Sequence, residues 1–375
     1  MATTPQISLP PALLPGDGRF GSGPSKVDPA AVAALAGAAG RYLGTSHRQT
    51  GVRDVVARIR GGLGALYGLP EGYEVVLGVG GATAFWDAAA FGLIERTSQH
   101  LVFGEFSGKF AAVVAGAPHL DQPQVIESAP GTHPQARTDA AVDLYALTHN
   151  ETSTGVMMPV LRPAGAAGLV AVDATSAAGA APVDPNEFDV YYFSPQKAFG
   201  SEGGLWVALC SPAAIARITA IAATDRWQPP FLDLAAAVDN SRKDQTTNTP
   251  ALATLFLLAH QIERMLERGG LSWAQDRCAR SSGAVYGWAE ASPYAAPFVT
   301  DPAVRSLTVA TVDLDPSVSA DTVEAVLRAN GIVDTFGYRK LGRNQLRIAC
   351  FPNIDPDDVV TLTAAVDHIV ERLGG

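Results

Sequence analysis

Phe193-Ser194-Pro195-Gln196-Lys197-Ala198-Phe199-Gly200, preceded by Val170-Ala171-Val172-Asp173-Ala174-Thr175-Ser176, decides the reading of this chain. An aspartate ends one apolar strand, and a lysine follows about two dozen residues later, after a second apolar strand. That arrangement is what pyridoxal 5'-phosphate (PLP) chemistry requires. A lysine amine holds the aldehyde as a Schiff base, and a carboxylate keeps the pyridine nitrogen protonated so that the ring can take up electrons. Taken singly, a lysine after a strand is ordinarily a solvated surface residue, and an aspartate there ordinarily caps the next helix. The pair gains force from its surroundings.

A chain of 375 residues is long enough for a large and a small domain. Apolar residues make up 47% and charged residues 17%, the balance of a globular protein with a substantial core. The net charge of -10 argues against nucleic acid as the main partner but leaves room for a local basic pocket. Cys210, Cys278 and Cys350 are far apart and odd in number, so neither a disulfide framework nor a zinc site is expected, and no other metal. A reducing cytoplasm is the expected setting. The first basic residue is Arg19, and Pro10, Pro11 and Pro15 break the apolar pieces before it, so this stretch is not expected to be a signal peptide. The longest apolar stretch, Ala251–Ala259, is too short to span a bilayer, so no membrane is expected as a partner.

From 26 to 270 strand-like and helix-like pieces alternate. Tyr73–Leu77, His100–Phe103, Val142–Leu147, Gly168–Val172, Val190–Phe193 and Leu205–Leu209 read as strands. Their apolar runs are continuous rather than alternating, which predicts a mostly parallel sheet covered on both faces, with ligands at its carboxyl ends. Beyond Gly269-Gly270 the pattern changes. It predicts a helix over 273–290, strands at Ser306–Val312 and Leu346–Phe351, and helices over 320–330 and 357–373: a smaller α+β domain at 271–375. The Pro- and Gly-rich head, 1–25, reads as an arm packing with that small domain.

Three further features bear on chemistry. Gly80-Gly81-Ala82-Thr83 follows a strand and opens a helix, where free N–H groups and the helix dipole suit a phosphate. An ordinary turn reads the same way, and neither P-loop nor dinucleotide spacing is present. His149-Asn150-Glu151-Thr152-Ser153-Thr154-Gly155 reads either as a capping turn or as a polar loop at the ligand edge. His47-Arg48, Tyr338-Arg339-Lys340 and Arg343 to Arg347 form cationic clusters in an acidic chain, the pattern of a focused anion pocket, although a single arginine more often forms an ordinary salt bridge.

Taken together, Phe20–Ser25, Gly44–Arg48, the Gly-Gly-Ala turn, His149–Gly155, Asp173–Ser176, Pro195–Lys197 and Asn248-Thr249-Pro250 resemble the phosphoserine aminotransferases, class V enzymes of PLP fold type I, and most closely their actinobacterial branch. The resemblance runs from Phe20 to the last helix. It implies a seven-stranded, mostly parallel sheet and a glutamate-dependent transamination of 3-phosphohydroxypyruvate to O-phospho-L-serine and 2-oxoglutarate. A phosphorylated hydroxythreonine of vitamin B6 synthesis is left open as a further substrate. By the same resemblance, Lys197 is the Schiff-base lysine, Asp173 the partner of the ring nitrogen and Thr152 that of the phenolic oxygen. Phe106 stacks on the ring. Gly81, Ala82 and Gln196 hold the cofactor phosphate, joined by Asn248 and Thr249 of a neighbouring subunit, so a homodimer with shared sites is implied. Arg347 takes the substrate α-carboxylate; Arg339, with the neighbour's His47 and Arg48, takes the substrate phosphate. The sequence departs from the common pattern at Phe106, Ala82 and Tyr338, where a Trp, an Arg and a His are frequent; Lys340 or Arg343 is the expected substitute in the phosphate clamp. Alternatives are another class V enzyme, such as a cysteine desulfurase or a serine/alanine-glyoxylate aminotransferase, or a non-catalytic PLP-fold binding protein. Gln196 before the lysine and the His47/Arg48 pair weigh against the first two.

Overall fold

The apolar runs build one seven-stranded sheet in the computed structural model, which describes residues 5–374. Residues 1–4 of the expected arm, and Gly375, lie outside the described residues. Two helices come first, α1 (Pro29–Tyr42) and α2 (Thr50–Tyr67). There follow β1 (Glu74–Val79), α3 (Gly81–Gly92), β2 (Ser98–Val102), α4 (Glu105–Gly116), β3 (Gln124–Glu127), β4 (Leu144–Thr148), the short β5 (Asn150–Glu151) and β6 (Val156–Met157), β7 (Leu169–Asp173), β8 (Val190–Phe193) and β9 (Leu205–Cys210). Helices α5 (Pro212–Ala222), α6 (Leu234–Ser241) and α7 (Leu252–Glu267) close this part.

The sheet order is β1-β9-β8-β7-β4-β2-β3. Strands β8, β7, β4, β2 and β3 run parallel, and β9 is antiparallel to both of its neighbours. Every residue of β4, β7, β8 and β9 is buried. The pleat sorts them: Tyr191 and Phe193 join the core beneath α2 and α7, whereas Val190 and Tyr192 join the core beneath α3, α5 and α6. Each such side chain contributes about 1.5–3 kcal/mol by leaving water, which is why the central strands carry no alternating polar face. Helix starts follow local chemistry. Asp28 before Pro29, Ser211 before Pro212 and Asp355 before Pro356 each accept a backbone N–H at the first turn.

The remaining chain forms α8 (Gly270–Ala291), β10 (Ala295–Pro297), β11 (Val309–Leu314), α9 (Ala320–Ala329), β12 (Gln345–Ala349) and α10 (Pro356–Leu373), with β10-β11-β12 as an antiparallel sheet. Its core also takes in Leu9 and Phe20 of the head. The Leu9 N–H donates to Asn330 Oδ1 at 2.9 Å, and the Ala349 N–H to the Phe20 carbonyl at 3.1 Å. Most element ends shift by one to three residues from the sequence expectation, and two differences have a clear local cause. The strand expected from Ser306 begins at Val309, because Ser306 Oγ accepts the N–H groups of Thr308 and Val309 and removes them from the ladder. The segment His149–Gly155 is not all loop: β5 pairs antiparallel with β6 as a small hairpin. Among the described residues no helix is long and apolar enough to cross a membrane.

Candidate active site

Asp173 is the last residue of β7, in register with Thr148 of β4 and Tyr192 of β8. Lys197 follows β8 by four residues, so both side chains arrive at the carboxyl edge of the sheet. They line one cavity of about 380 Å³, together with Gly81, Ala82, Phe106, Thr152 and Gln196. All seven were singled out in the sequence. The Lys197 amine is buried; it donates to the Ser22 carbonyl at 2.7 Å and lies 3.4 Å from Thr152 Oγ1. Burial, then the positive charge of Arg347, pushes its pKa down to about 8, against the attraction of Asp173 and Glu151. A useful fraction of the amine is therefore neutral and nucleophilic near neutral pH.

Asp173 is buried as well. Its Oδ1 accepts the Thr175 N–H at 2.9 Å and its Oδ2 the Trp86 indole N–H at 3.1 Å. Burial raises its pKa, and these donors oppose the rise. A protonated ring nitrogen placed against the free lone pairs would complete the set.

Three observations test whether PLP fits. First, the buried Asn150 Oδ1 and Gln196 Oε1 on the cavity wall have no hydrogen-bond partner among the described residues, so polar groups there suit a ligand. Second, α3 begins at the cavity with Gly80 and Gly81 at φ 112° and 75°, a turn that side chains strain to make. It aims the unpaired first N–H groups of the helix inward, as a phosphate needs. Third, Phe106 offers an aromatic face, its ring centroid 5.7 Å from Lys197 Nζ. An amine, an acid, an aromatic face and an anion cradle thus surround one space, and the group fits.

Arg347, in β12, approaches from the other sheet. It is buried beside the cavity rather than lining it, and among the described residues it pairs with no carboxylate and its Nε has no partner; Nη1 lies 3.4 Å from the Thr152 carbonyl. The rings of Tyr338 and Phe336 lie 5.3 and 5.9 Å from its guanidinium carbon. A buried guanidinium without a counter-charge is costly until an anion arrives. Arg339 does not line the cavity; it sits in the turn Arg339–Leu341 at a neighbouring depression. Lys340 is ion-paired to Glu105, and Arg343 to Asp313 through two nitrogens, so neither stands free as a substitute phosphate ligand. His47, Arg48, Asn248 and Thr249 also lie off the cavity, but together. Thr249 Oγ1 is 3.3 Å from His47 Nδ1, and Arg48 donates to Gln245 Oε1 at 3.2 Å.

Residues 129–339 match the aminotransferase class-V family. The chain belongs to that family. A phosphoserine aminotransferase of Rhodococcus jostii (strain RHA1) is 57% identical over 375 residues, covering both chains completely. One from Nocardioides sp. (strain ATCC BAA-499 / JS614) is 57% identical over 373 residues, 99% of this chain and all of its own. Among solved structures, a phosphoserine aminotransferase from Cytophaga hutchinsonii aligns with a TM-score of 0.85 at 26% identity, covering 94% of this chain and 99% of that one. The fold is accordingly that of the fold-type-I PLP aminotransferases.

Within this class V frame, two residues of the site escaped the sequence reading. Glu151 is fully buried, and its carboxylate accepts from the Phe106 N–H at 3.1 Å, the Ser107 N–H and hydroxyl at 2.9 Å, and the Ser153 hydroxyl at 2.7 Å. It thereby caps α4 and sets the height of Phe106. Gly104 permits the approach: a Cβ there would lie 2.3 Å from Glu151 Cγ. Trp86 is the other, holding Asp173 from behind. No local pattern in the sequence pointed to either residue.

Proposed function

We propose that this class V aminotransferase moves the amino group of L-glutamate to 3-phosphohydroxypyruvate, giving O-phospho-L-serine and 2-oxoglutarate, a step of serine biosynthesis. Full-length identity of 57% to proteins named for that activity supports the reading. The observation that carries it is Arg347, buried with no carboxylate partner among the described residues, held against Thr152 of the cavity wall and close enough for its charge to act on Lys197.

When bound, PLP supplies an aldehyde for the lysine and a ring that accepts an electron pair. The protein's own groups do the rest. Ser22 and Thr152 aim Lys197 Nζ into the cavity. With an amino acid bound, that amine is placed to take the substrate Cα proton and hold it for return, a role worth ~10²–10⁴-fold in rate. Asp173 offers an ionised carboxylate to the ring nitrogen, and Phe106 excludes water from one ring face. Gly81, Ala82 and Gln196 hold the cofactor phosphate, and Arg347 grips the α-carboxylate through its planar fork. Arg339 receives the substrate phosphate. His47, Arg48, Asn248 and Thr249 serve the site of a second copy, which makes the enzyme a homodimer with shared sites. One cationic cluster suits both the phosphate and the glutamate γ-carboxylate, since both are anions. Three separated, buried thiols fit a cytoplasmic setting.

The test is a donor and acceptor panel on purified, PLP-loaded protein, alongside Lys197→Ala. Phosphoserine with 2-oxoglutarate should exceed serine, or alanine with glyoxylate, by at least ~10²-fold in kcat/KM, because a site built for an anion rejects the analogue lacking it. Lys197→Ala should be inactive and should incorporate no label from PLP and borohydride. Comparable turnover of alanine with glyoxylate would replace this reading with a glyoxylate-type activity.

A further inference from the structure

Trp86 stands in α3 with its indole turned toward the sheet, buried. Its Nε1–H lies 3.1 Å from Asp173 Oδ2 and 3.1 Å from the Tyr192 hydroxyl oxygen. The donor is held on several sides. The indole stacks with Phe110 at 6.4 Å and 15°, and Tyr192 stacks on Phe85 at 4.3 Å and 27°. The Thr175 N–H is committed to the other oxygen of the acid, so each oxygen has a donor, with the Thr175 hydroxyl, the Tyr192 hydroxyl and the carboxylate of Glu151 also acting on the group. An indole N–H can donate but never accept, so it favours the ionised acid over the protonated one. Packing alone asks for no nitrogen here: a phenyl ring would fill most of the same apolar space between Phe110 and the sheet. The residue also borders the cavity itself.

We propose that Trp86 is a positioning residue for Asp173: its N–H fixes the carboxylate in the ionised, forward-facing state that holds a proton on the ring nitrogen of the cofactor. The proposal rests on the reading of the cavity as a PLP site. Its consequence is specific. Trp86 should govern how strongly the protein distinguishes a pyridine nitrogen from a carbon at that ring position, and leave the phosphate and aldehyde contacts alone.

The experiment measures, by calorimetry on apo-protein, the Kd of PLP and of its 1-deaza analogue, in which carbon replaces the ring nitrogen. Wild-type protein should prefer PLP. Trp86→Phe should reduce that preference by about tenfold, the order of one hydrogen bond to a charged group, with the Kd of the deaza compound little changed. The preference that remains should reappear only at higher pH, because losing a donor to the ionised form raises the pKa of the acid. In an Asp173→Asn background Trp86→Phe should change nothing further. Trp86→Leu, also lacking the donor, is the second variant if the phenylalanine protein does not fold, and Trp86→His, which keeps a ring N–H, should recover part of the preference. An unchanged preference and pH profile in a folded donor-less variant overturns the proposal, as does an equal loss of affinity for both compounds. Failure of wild-type protein to bind PLP at all would instead overturn the cofactor reading, so the two failures are distinguishable.

Discussion

Lys197 and Arg347 are two cations close enough to repel, and that repulsion adds to burial in holding the lysine's pKa down. The lysine's folded-state pKa, about 8, lies below the 10.5 of a free side chain, first through burial and then through Arg347. A cationic group depressed in this way penalises the folded state fully below about pH 8, and the penalty lifts as the pH rises toward the free value. Amine capture of PLP by apo-protein should therefore accelerate as the pH passes 8. Arg347→Met removes the like charge, so the midpoint of that profile should move to higher pH, while KM rises for amino donor and keto acceptor alike. Stopped-flow absorbance across a pH series reads the midpoint; the same midpoint in both proteins would show that the lysine does not feel the arginine. At this scale, what the sequence disclosed depended on distance along the chain. Lys197 and Asp173 were legible because Asp173 ends one continuous apolar strand and Lys197 closely follows the next. Ser22 reaches Lys197 across 175 residues, Trp86 reaches Asp173 across 87, and Glu151 reaches Phe106 across 45. Local pattern holds no information about such approaches.

At the scale of elements, α4 shows how a helix start can be set by a distant residue. Gly104 has no side chain to cap it; the Ser153 hydroxyl accepts the Glu105 N–H, and Glu151 accepts the N–H groups of Phe106 and Ser107. The arrangement places a negative charge at a helix N-terminus, where the dipole favours it, and spares that charge from standing bare in the core. Glu151→Ala leaves several buried donors without an acceptor and should cost about 3 kcal/mol or more in chemical denaturation. It should also weaken PLP binding through Phe106. A loss within the ~0.5 kcal/mol of an ordinary surface substitution would mean that the cap does not hold α4. The central strands were readable because burial on both faces writes a continuous apolar run. The β5–β6 hairpin was not, since Asn150 and Glu151 are chosen for what they bind rather than for strand propensity, and the late start of β11 follows from one serine hydroxyl diverting two donors.

Across the whole molecule, the residues matched to a single site occupy two places. Lys197, Asp173, Phe106, Thr152 and Gln196 line the cavity, whereas His47, Arg48, Asn248 and Thr249 gather away from it. A monomer offers no reason for a histidine, an arginine and two polar residues from segments some 200 positions apart to meet on an exposed surface, when exposed charges there add little stability. The proposed pairing of two copies supplies one: each patch completes the opposite cavity. The idea has a strict consequence. Lys197→Ala removes the cavity half of every site, and Arg48→Ala weakens the patch half, so each protein alone should be inactive or nearly so. Mixed, dissociated and reassembled, half of the dimers carry one chain of each kind. In those, one site joins an intact cavity to an intact patch and the other joins two damaged halves. Activity should return to about a quarter of the wild-type value, the statistical share for a twofold assembly. If cavity and patch of one chain served the same site, every site would retain one lesion and mixing would restore nothing; the phosphoserine-dependent rate of the mixture, against the two parents at equal concentration, decides between them.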